Sequence, residues 1–312
     1  MTENTEAATP GTSPPVSRCG FVAILGAPNA GKSTLVNRAV GQKVSIVSPK
    51  VQTTRSRVLG IVIKGATQLV LIDTPGIFAP RRRLDRAMVA AAWGGAADAD
   101  AIVLIVDAAR KALDEETRSI VAGLKKQKRQ VILALNKIDI VKREKLLALT
   151  AELNAEGVFT DTFMISAESG DGVEDLLTTL AQRMPEGPHH FPDDQVTDVP
   201  MRALAAEVTR EQLFRQLQQE LPYALTVETD SWEEFDDGSA KIEQTIFVAR
   251  DSQKGIVVGK GGDRVRKVRE AAQRELETLM DRKVHLFLFV KVRENWAEDP
   301  ERFRAIGLDF EA

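Results

Sequence analysis

The sequence has few of the residues that form cross-links between distant parts of a chain. Its 312 residues include one cysteine, Cys19, and three histidines. One cysteine cannot form an internal disulfide, and three histidines with a single thiol offer no credible zinc cluster. The composition therefore indicates a reducing compartment, with a cytoplasmic location as the default. We interpret His189 and His190 as linker residues.

Long apolar runs, aromatic residues and net positive charge are also scarce. Ala101 to Val106 is among the longest apolar runs, so any membrane contact is expected to be peripheral. Residues 1–16 lack the apolar core of a signal peptide and are predicted to form a disordered tail. Aromatic residues make up 5% of the chain, which argues against an RRM-type stacking platform. The net charge of −3 argues against indiscriminate coating of nucleic acid.

The length and the pattern of apolar residues predict two domains. Strands and helices alternate over residues 17–184, which predicts an α/β domain with a mainly parallel sheet covered on both faces. Residues 185–200 contain four prolines and no periodicity, and we interpret them as a linker. Residues 201–312 predict a smaller α+β domain with the element order α-β-β-α-α-β.

A glycine-rich segment follows the buried strand Phe21 to Leu25. It fits the pattern G-x-x-x-x-G-K-[ST] at every fixed position, with the residues Gly26, Ala27, Pro28, Asn29, Ala30, Gly31, Lys32, Ser33 and Thr34. Such glycines let backbone N–H groups and a helix N-terminus surround a phosphate, while the lysine adds a mobile charge. The segment therefore predicts a nucleotide site.

Three further motifs lie at strand ends downstream of this loop. Asp73-Thr74-Pro75-Gly76 places a carboxylate where open α/β sheets bind ligands, and Asp73 is expected to face a magnesium ion. The other two, Asn136-Lys137-Ile138-Asp139 and Ser166-Ala167, are expected to bind the base.

The base loops favour guanine. The Asp139 carboxylate can accept hydrogen bonds from the guanine N1–H and 2-amino group, which adenine lacks. Asn136 is expected to join its loop to the phosphate loop, the Lys137 stem to lie along the base, and the Ala167 N–H to donate to guanine O6.

In this order the motifs resemble those of P-loop GTPases, and the resemblance covers roughly Arg18 to Met184. It implies binding of GTP or GDP with Mg²⁺. Ser33 and a threonine after the first helix would ligate the metal, and Asp73 would act through a water. Lys32 would neutralise the β- and γ-phosphate oxygens, and the Gly76 N–H would contact the γ-phosphate. In Gln52-Thr53-Thr54-Arg55 we favour Thr54 as the metal ligand, while Thr53 stays open.

One position departs from the Ras type. Ile77 stands where Ras has a water-positioning glutamine, so intrinsic hydrolysis is expected to be slow. Some GTPases with an apolar residue there carry an asparagine at the position of Asn29 and use K⁺, which gives a K⁺ hypothesis for Asn29. Arg81 to Arg83 are interpreted as a solvated basic loop.

A second glycine-rich loop lies in the C-terminal half, and its sequence resembles the loop of the KH fold. G-x-x-G at Gly259 to Gly262 lies between two predicted helices, and such a loop grips a single-stranded phosphate backbone. From Lys254 to Arg293 there are 11 Lys and Arg against 5 Asp and Glu. The candidate RNA-binding residues are Lys254, Gly255, Gly259, Lys260, Gly261, Gly262, Arg264 and Lys267.

Nearly the whole chain after the tail resembles the Era family of bacterial GTPases, which belong to the TrmE-Era group and carry a C-terminal KH domain. Gln253 to Gly262 and Lys283 to Arg293 carry this resemblance beyond the GTPase motifs. It implies binding near the 3′ end of small-subunit ribosomal RNA, assistance to 30S subunit assembly, and peripheral contact with the inner membrane. A monomer without a DNA partner is expected. Ser252 and Phe289 depart from residues common in the family.

Four functions are weighed on these features. The first is a GTP-hydrolysing switch that controls RNA binding, and the second is an RNA-binding protein whose nucleotide is structural, for which Ile77 is the best support. The third, an ATP-using kinase, is disfavoured by the Asn136 to Asp139 motif. The fourth, a GTPase of tRNA modification, is expected to have a different C-terminal module.

Overall fold

The structure is a computed structural model that describes residues 16–51, 53–110, 112–294, 299–305 and 307–312. The predicted disordered tail, residues 1–16, lies outside these residues except for Val16. Gln52, which precedes the two candidate threonines, also lies outside them.

The N-terminal half forms a six-stranded sheet with helices on both faces. Its elements are β1 (Arg18–Leu25), α1 (Lys32–Val40), β2 (Val58–Lys64), β3 (Thr67–Asp73), α2 (Arg83–Ala97), β4 (Ala101–Asp107), α3 (Glu115–Lys126), β5 (Val131–Asn136), α4 (Arg143–Asn154), β6 (Phe159–Met164) and α5 (Val173–Arg183). The strand order is β2-β3-β1-β4-β5-β6, and only β2 is antiparallel to its neighbour. The prediction of a mainly parallel sheet is confirmed.

Both faces of this sheet are buried because its strands are apolar on both sides. On one face Val22 and Ile24 pack with Leu35 of α1 and Leu176 of α5. On the other face a second cluster includes side chains of α2, α3 and α4. The carboxyl ends of β1, β3, β4 and β5 lie at the same edge, so their following loops meet there.

The C-terminal half is built around a three-stranded sheet. Its elements are α6 (Met201–Gln216), β7 (Leu225–Glu234), β8 (Ala240–Val248), α7 (Asp251–Val258), α8 (Asp263–Met280), β9 (Val284–Val292) and the short α9 (Pro300–Ala305). The predicted order α-β-β-α-α-β is confirmed, with α9 added. The strand β7 passes an irregularity between Thr229 and Ser231 and pairs with β8 as far as Glu234.

The segment between the halves, residues 185–200, is bound to the first sheet. The Val196 carbonyl accepts from the Ile61 N–H at 2.9 Å, and the Asp198 carboxylate accepts from the Leu59 N–H at 3.0 Å. His189 contacts Asp193 at 2.7 Å within the same segment. No helix of the described residues has the length and apolar character needed to cross a membrane.

Candidate nucleotide site and RNA loop

The glycine-rich segment joins the end of β1 to the start of α1, at the edge where the strand ends meet. Two glycines are required there by close approach. A Cβ on Gly31 would lie 2.1 Å from Asn136 Nδ2, and a Cβ on Gly26 would lie 2.5 Å from the Ile105 carbonyl oxygen. Gly31 also has a φ of 105°, which L side chains rarely adopt. The loop is therefore packed against β4 and β5, and only glycine fits at these positions.

Lys32 opens α1 and is buried inside the loop. Its Nζ donates to the carbonyl oxygens of Gly26 at 3.1 Å and Ala27 at 2.9 Å. Burial lowers the pKa of Lys32 to about 8, although the Asp73 carboxylate opposes this effect. A buried ammonium held only by neutral carbonyls and one nearby carboxylate would gain strongly from a phosphate, since an anion restores the stabilisation that water supplies elsewhere.

Four oxygen-bearing side chains meet beside the start of α1. Ser33 Oγ lies 2.9 Å from Thr54 Oγ1 and donates to Asp73 Oδ2 at 2.7 Å, and Ser45 Oγ donates to the same carboxylate oxygen at 2.6 Å. Burial raises the pKa of Asp73, although the hydroxyls of Ser33 and Ser45 oppose this.

This set of donors fits a magnesium ion. Mg²⁺ prefers hard oxygen ligands such as hydroxyls and carboxylates. Asp73 Oδ1 is buried and has no hydrogen-bond partner among the described residues. A cation beside this orphaned oxygen would compensate its burial. Ser33, Thr54 and Asp73, the residues predicted for the metal, are thus brought together.

The geometry separates the two candidate threonines. Thr53 Oγ1 lies 2.8 Å from Ser48 Oγ and donates to the Lys50 carbonyl at 2.8 Å, so its hydroxyl is engaged within its own loop. Thr54 is the threonine whose hydroxyl reaches Ser33. The expectation that favoured Thr54 agrees with this placement.

The base loops follow β5 and β6 in the same cleft. Asn136 Nδ2 donates to the Ala30 carbonyl at 2.8 Å, so this side chain joins the two loops as expected. Lys137 Nζ donates to Asp107 Oδ2 at 2.7 Å, which fixes the lysine stem at the cleft. Asp139 lies in a 3-10 turn and is exposed at the cleft wall. Ser166 is fully buried, and its Oγ accepts from the Ser169 N–H at 3.1 Å.

One contact differs from the expectation for the base. The Ala167 N–H donates to Asn136 Oδ1 at 2.9 Å and is buried. The asparagine amide therefore already holds the donor that was predicted to serve guanine O6. A base must share this N–H or use the following one, that of Glu168, which also lines the cleft.

The segment after β3 places Gly76 against the phosphate loop. A Cβ on Gly76 would lie 3.0 to 3.1 Å from Pro28, so the two backbones are in close contact. The Ile77 N–H donates to the Gly26 carbonyl at 3.2 Å, and the Ile77 side chain is buried with Ala23 and Leu25. Ile77 therefore packs into the core and offers no polar group for a water.

Asn29 follows Pro28 in the phosphate loop. It is exposed, has a φ of 62°, and donates from Nδ2 to the Pro49 carbonyl at 2.9 Å. Its side chain thus links the phosphate loop to the segment 41–57, which lies between α1 and β2.

The assembled cleft has a volume of about 650 Å³, within the range of small-molecule sites. Asp107 and Arg110 are among the cleft residues that were missed from the sequence. Asp107 ends β4 and could have been found by the strand-end rule that found Asp73. Arg110 donates to the Pro28 carbonyl at 2.8 Å and pairs with Asp114 at 2.5 Å, and no local pattern marks it.

The second glycine-rich loop joins α7 to α8 in the C-terminal half. Gly259, Gly261 and Gly262 have φ values of 76°, 60° and 78°. A Cβ on Gly259 would lie 2.8 Å from the Arg264 Cβ, so the loop closes tightly on the start of α8. This is the backbone shape that lets a phosphate approach N–H groups and a helix N-terminus.

The basic residues predicted around this loop are not all equally available. Lys254 and Lys260 are exposed. Arg264 donates from Nη1 to the Ile256 carbonyl at 2.6 Å, so part of its guanidinium closes the end of α7. Lys267 pairs with Asp263 at 2.8 Å, and Arg266 pairs with the same carboxylate. Asp263 therefore offsets some of the positive charge.

Comparison with known proteins gives two family models on this chain. The model described as a 50S ribosome-binding GTPase matches residues 21–137, and the model of the KH domain matches residues 220–297. The first covers the nucleotide cleft from β1 to Lys137. The second covers the glycine-rich loop between α7 and α8.

Curated relatives and solved structures cover nearly the whole chain. The GTPase Era of Bradyrhizobium sp. (strain ORS 278) and that of Rhizobium meliloti (strain 1021) are each 58% identical over 294 residues, which is 94% of this chain and 95% and 94% of theirs. Aquifex aeolicus Era bound to GDP and aluminium fluoride is 37% identical, with a TM-score of 0.87 over 93% of this chain and 99% of that one. An Era in complex with MgGDPNP and nucleotides 1506–1542 of 16S ribosomal RNA has the same identity, coverage and TM-score.

Proposed function

Since this chain belongs to the Era family of GTPases, we propose that it is a GTP-hydrolysing switch that controls its own binding of single-stranded ribosomal RNA. The chain is a P-loop GTPase with a C-terminal KH domain. One observation supports the proposal of a switch. The segment 41–57 supplies Thr54 to the metal-ligand set, and it also contacts the C-terminal half, because Arg55 donates to the Leu225 carbonyl. The functional units are proposed at 17–184 and 201–312, joined by the linker 185–200.

The chain binds guanine nucleotide with Mg²⁺, and the ion neutralises charge on the phosphate oxygens when it is bound. We assign Ser33 and Thr54 as its ligands, with Asp73 acting through a water. Lys32 and the backbone N–H groups of the phosphate loop and Gly76 hold the phosphates. Asn136, Lys137, Asp139, Ser166 and Ala167 form the guanine site.

Hydrolysis is proposed to depend on a monovalent cation, because Ile77 is buried and cannot orient a water. The Asn29 carboxamide lies beside the Pro49 carbonyl, and oxygens of these kinds are K⁺ ligands. Turnover in KCl is therefore expected to exceed turnover in NaCl, and Asn29→Ala should abolish the difference. Equal turnover in the two salts would remove the role of Asn29.

The RNA partner is proposed to be the region near the 3′ end of the small-subunit ribosomal RNA, by analogy with the Era structure that contains 16S nucleotides 1506–1542. Binding there would place the protein on the 30S subunit during assembly. The loop Gly259 to Gly262 would hold the phosphate backbone, helped by Lys254, Gly255, Lys260, Arg264 and Lys267. The presence of a KH domain disfavours the tRNA-modification function, because a GTPase with that function is expected to have a different C-terminal module. Peripheral contact with the inner membrane stays a proposal from family resemblance.

A cross-linking experiment tests this function. A single-stranded RNA of the 3′ region and a duplex RNA are cross-linked to the protein with GTP analogue, with GDP and without nucleotide, and the attached peptides are mapped. Adducts within 254–267 and tighter single-strand binding with the GTP analogue are expected. Equal affinities in all nucleotide states would leave two uncoupled activities, and adducts elsewhere would contradict the proposed RNA loop.

A further inference from the structure

We propose that Arg210, which belongs to the RNA-binding domain, positions the magnesium-ligand threonine of the GTPase domain. This inference rests on the proposed function and deepens it, because it names the residue through which the two domains share the nucleotide site. Arg210 contacts neither nucleotide nor metal in the proposed site. It acts through the backbone of the segment that carries Thr54.

Arg210 is held in one orientation on α6. It is 1% exposed, although it carries a charge. Its Nε donates to Glu207 Oε1 at 2.7 Å, its Nη2 also pairs with the other oxygen of Glu207, and its guanidinium lies 5.1 Å from the centre of the Phe214 ring. A bidentate carboxylate and an aromatic neighbour leave the guanidinium little freedom.

The remaining contact of Arg210 reaches across the domain boundary. Nη2 donates to the Thr53 carbonyl oxygen at 2.5 Å. That carbonyl belongs to the planar peptide unit that ends at the nitrogen of Thr54, so fixing the oxygen fixes the peptide plane. Thr54 is the residue whose hydroxyl lies 2.9 Å from Ser33 Oγ.

The other side of Thr54 is fastened to the same domain. Arg55 is buried, and its Nη1 donates to the Leu225 carbonyl at the start of β7 at 2.9 Å. Thr54 is therefore bracketed by two residues that are both bound to the RNA-binding domain. A shift of that domain would move Thr54 relative to Ser33 and Asp73.

The helix that carries Arg210 is also joined to the helix that follows the RNA loop. Gln212 Nε2 donates to Glu275 Oε2 at 2.6 Å, which connects α6 to α8. Lys43 pairs with both Glu211 of α6 and Glu275 of α8. Because α8 begins directly after Gly262, the orientation of the RNA loop and the position of Thr54 are linked through α6.

One atom of Arg210 indicates that the segment 41–57 has a second favourable position against α6. Arg210 Nη1 is buried and has no hydrogen-bond partner among the described residues. A buried, unpaired donor is costly, so a loop position that supplies a second acceptor would be favoured. The segment 41–57 contacts Arg210 through the Thr53 carbonyl. Its position would depend on the γ-phosphate, because it carries Thr54.

The role of Arg210 can be tested separately from the docking of the two domains, because other residues also hold the domains together. Lys50 donates to the carbonyl oxygens of Phe214 and, at 2.6 Å, Leu217, and Lys43 pairs with Glu211 of α6 and Glu275 of α8. None of these contacts involves Arg210, so they are expected to stay in place when Arg210 is changed. A loss of function in an Arg210 variant with intact docking would therefore report on the Thr53–Thr54 peptide.

The test compares the full-length wild type with Arg210→Met, Arg210→Lys and the matched control Arg202→Met. Arg202 also lies on α6, but its contacts are the Thr229 and Asp230 carbonyls of its own domain. The affinities for GDP and for a non-hydrolysable GTP analogue are measured over a range of Mg²⁺ concentrations, together with GTP turnover with and without single-stranded RNA. Circular dichroism melting checks folding.

Arg210→Met is expected to weaken binding of the Mg²⁺–GTP analogue about 10- to 100-fold, the range for a lost hydrogen bond to a charged group. GDP affinity should stay within about twofold, because Thr54 is assigned to the metal and γ-phosphate of the triphosphate state. RNA should no longer change turnover. Arg210→Lys, which keeps the positive charge and N–H donors but loses the planar fork, should recover part of the loss, and Arg202→Met should match the wild type.

Equal effects of Arg210→Met on GDP and on the GTP analogue would overturn the inference, since they would indicate a general structural role. Wild-type behaviour of Arg210→Met would overturn it as well. Either result leaves the proposed function intact. A wild-type protein that neither turns over GTP nor binds the RNA would instead contradict the proposed function itself.

Discussion

Two residues of this protein, Asp73 and Arg210, keep a buried polar atom without a hydrogen-bond partner among the described residues. Each such atom costs about 1–3 kcal/mol. Asp73 Oδ1 lies at the proposed metal site, where Mg²⁺ would compensate it. Arg210 Nη1 lies where the segment 41–57 meets α6. Both unsatisfied atoms are thus located where binding of ligand would change the structure.

At the same scale, the two adjacent threonines should differ in function. Thr54→Ala is expected to remove a metal ligand and to lower GTP turnover at least 10-fold, because its hydroxyl is the one beside Ser33. Thr53→Ala removes only contacts with Ser48 and Lys50, worth about 1 kcal/mol of stability. Steady-state turnover as a function of Mg²⁺ measures both. A larger loss for Thr53→Ala would reassign the ligand.

The choice of base should depend on Asp139. An amide at this position would face the guanine 2-amino group with a second donor, so Asp139→Asn is expected to weaken GDP binding by about 3 kcal/mol or more, roughly 100-fold. Xanthosine diphosphate, whose base has a carbonyl at that position, should bind better to the variant than to the wild type.

Titration calorimetry with both nucleotides checks this prediction. Asp171→Asn is the matched control, because Asp171 is exposed in the neighbouring loop and does not line the cleft. If Asp139→Asn still prefers guanine by the wild-type margin, another residue selects the base.

At the scale of elements, local patterns were sufficient for most helices and strands. The apolar spacing predicts a helix over residues 173–183 and a strand over residues 284–292, and the structure has α5 at Val173–Arg183 and β9 at Val284–Val292. Both have the apolar spacing of one buried face, and α5 begins directly after Gly172. The phosphate-loop motif likewise depends on residues that are adjacent in sequence.

Contacts between distant residues could not be predicted in this way. Arg81 to Arg83 are exposed, as predicted, yet the Arg83 guanidinium also stacks on Phe310 at 4.3 Å. The contact of Arg210 with Thr53 joins residues of different domains. A single arginine has no periodicity and can pair with any carbonyl, so its partner depends on how the two domains pack.

The loop between α7 and α8 allows a prediction about RNA binding that depends on this loop alone. Lys260 lies between the glycines of the G-x-x-G turn and is exposed, so a phosphate contact would come from its charge. Lys260→Ala is expected to weaken RNA binding and to reduce the slope of log affinity against log salt by about 0.7. Binding of the GTP analogue in the absence of RNA should not change.

Fluorescence anisotropy at several salt concentrations provides the slope. Lys126→Ala is the control, because Lys126 is an exposed lysine at the end of α3 in the GTPase domain. An unchanged slope for Lys260→Ala would remove this residue from the RNA interface.

At the scale of the whole molecule, three chain segments join the two domains in the described structure, in addition to the ion pair between Arg82 and Glu220. The linker 185–200 is bound to β2 and β3, and the segment 41–57 is bound to α6 and β7. The third connection is made by the C-terminal residues 299–305 and 307–312, which return to the GTPase domain, where Phe303 and Leu308 pack on α2. Both chain segments that flank the phosphate site, one before β2 and one after β3, are therefore in contact with residues of the second half.

The third connection depends on Phe303. This side chain is 1% exposed and lies in a cluster with Ala87 and Met88 of α2 and with Leu308, and its ring meets that of Phe310 edge to face at 5.1 Å. Removing a buried phenylalanine typically costs 3–5 kcal/mol. The other apolar contacts of the described C-terminal residues, those of Leu308, Phe310 and Ala312, are not expected to hold the segment on α2 against a loss of that size. Phe303→Ala is therefore expected to release residues 299–312 without unfolding either domain.

Hydrogen exchange measures the release directly, because the amides of residues 299–312 and of the α2 face that they cover should lose protection. Trypsin should also cut faster after Arg304. Phe235→Ala serves as the control, since Phe235 is 40% exposed at the turn after β7 and should affect neither readout. Full protection of the segment in Phe303→Ala would mean that the Arg83 contacts with Phe310 hold it instead. In that case Arg83→Ala would be the variant that releases the segment, because its guanidinium both stacks on the Phe310 ring and donates to the Phe310 carbonyl.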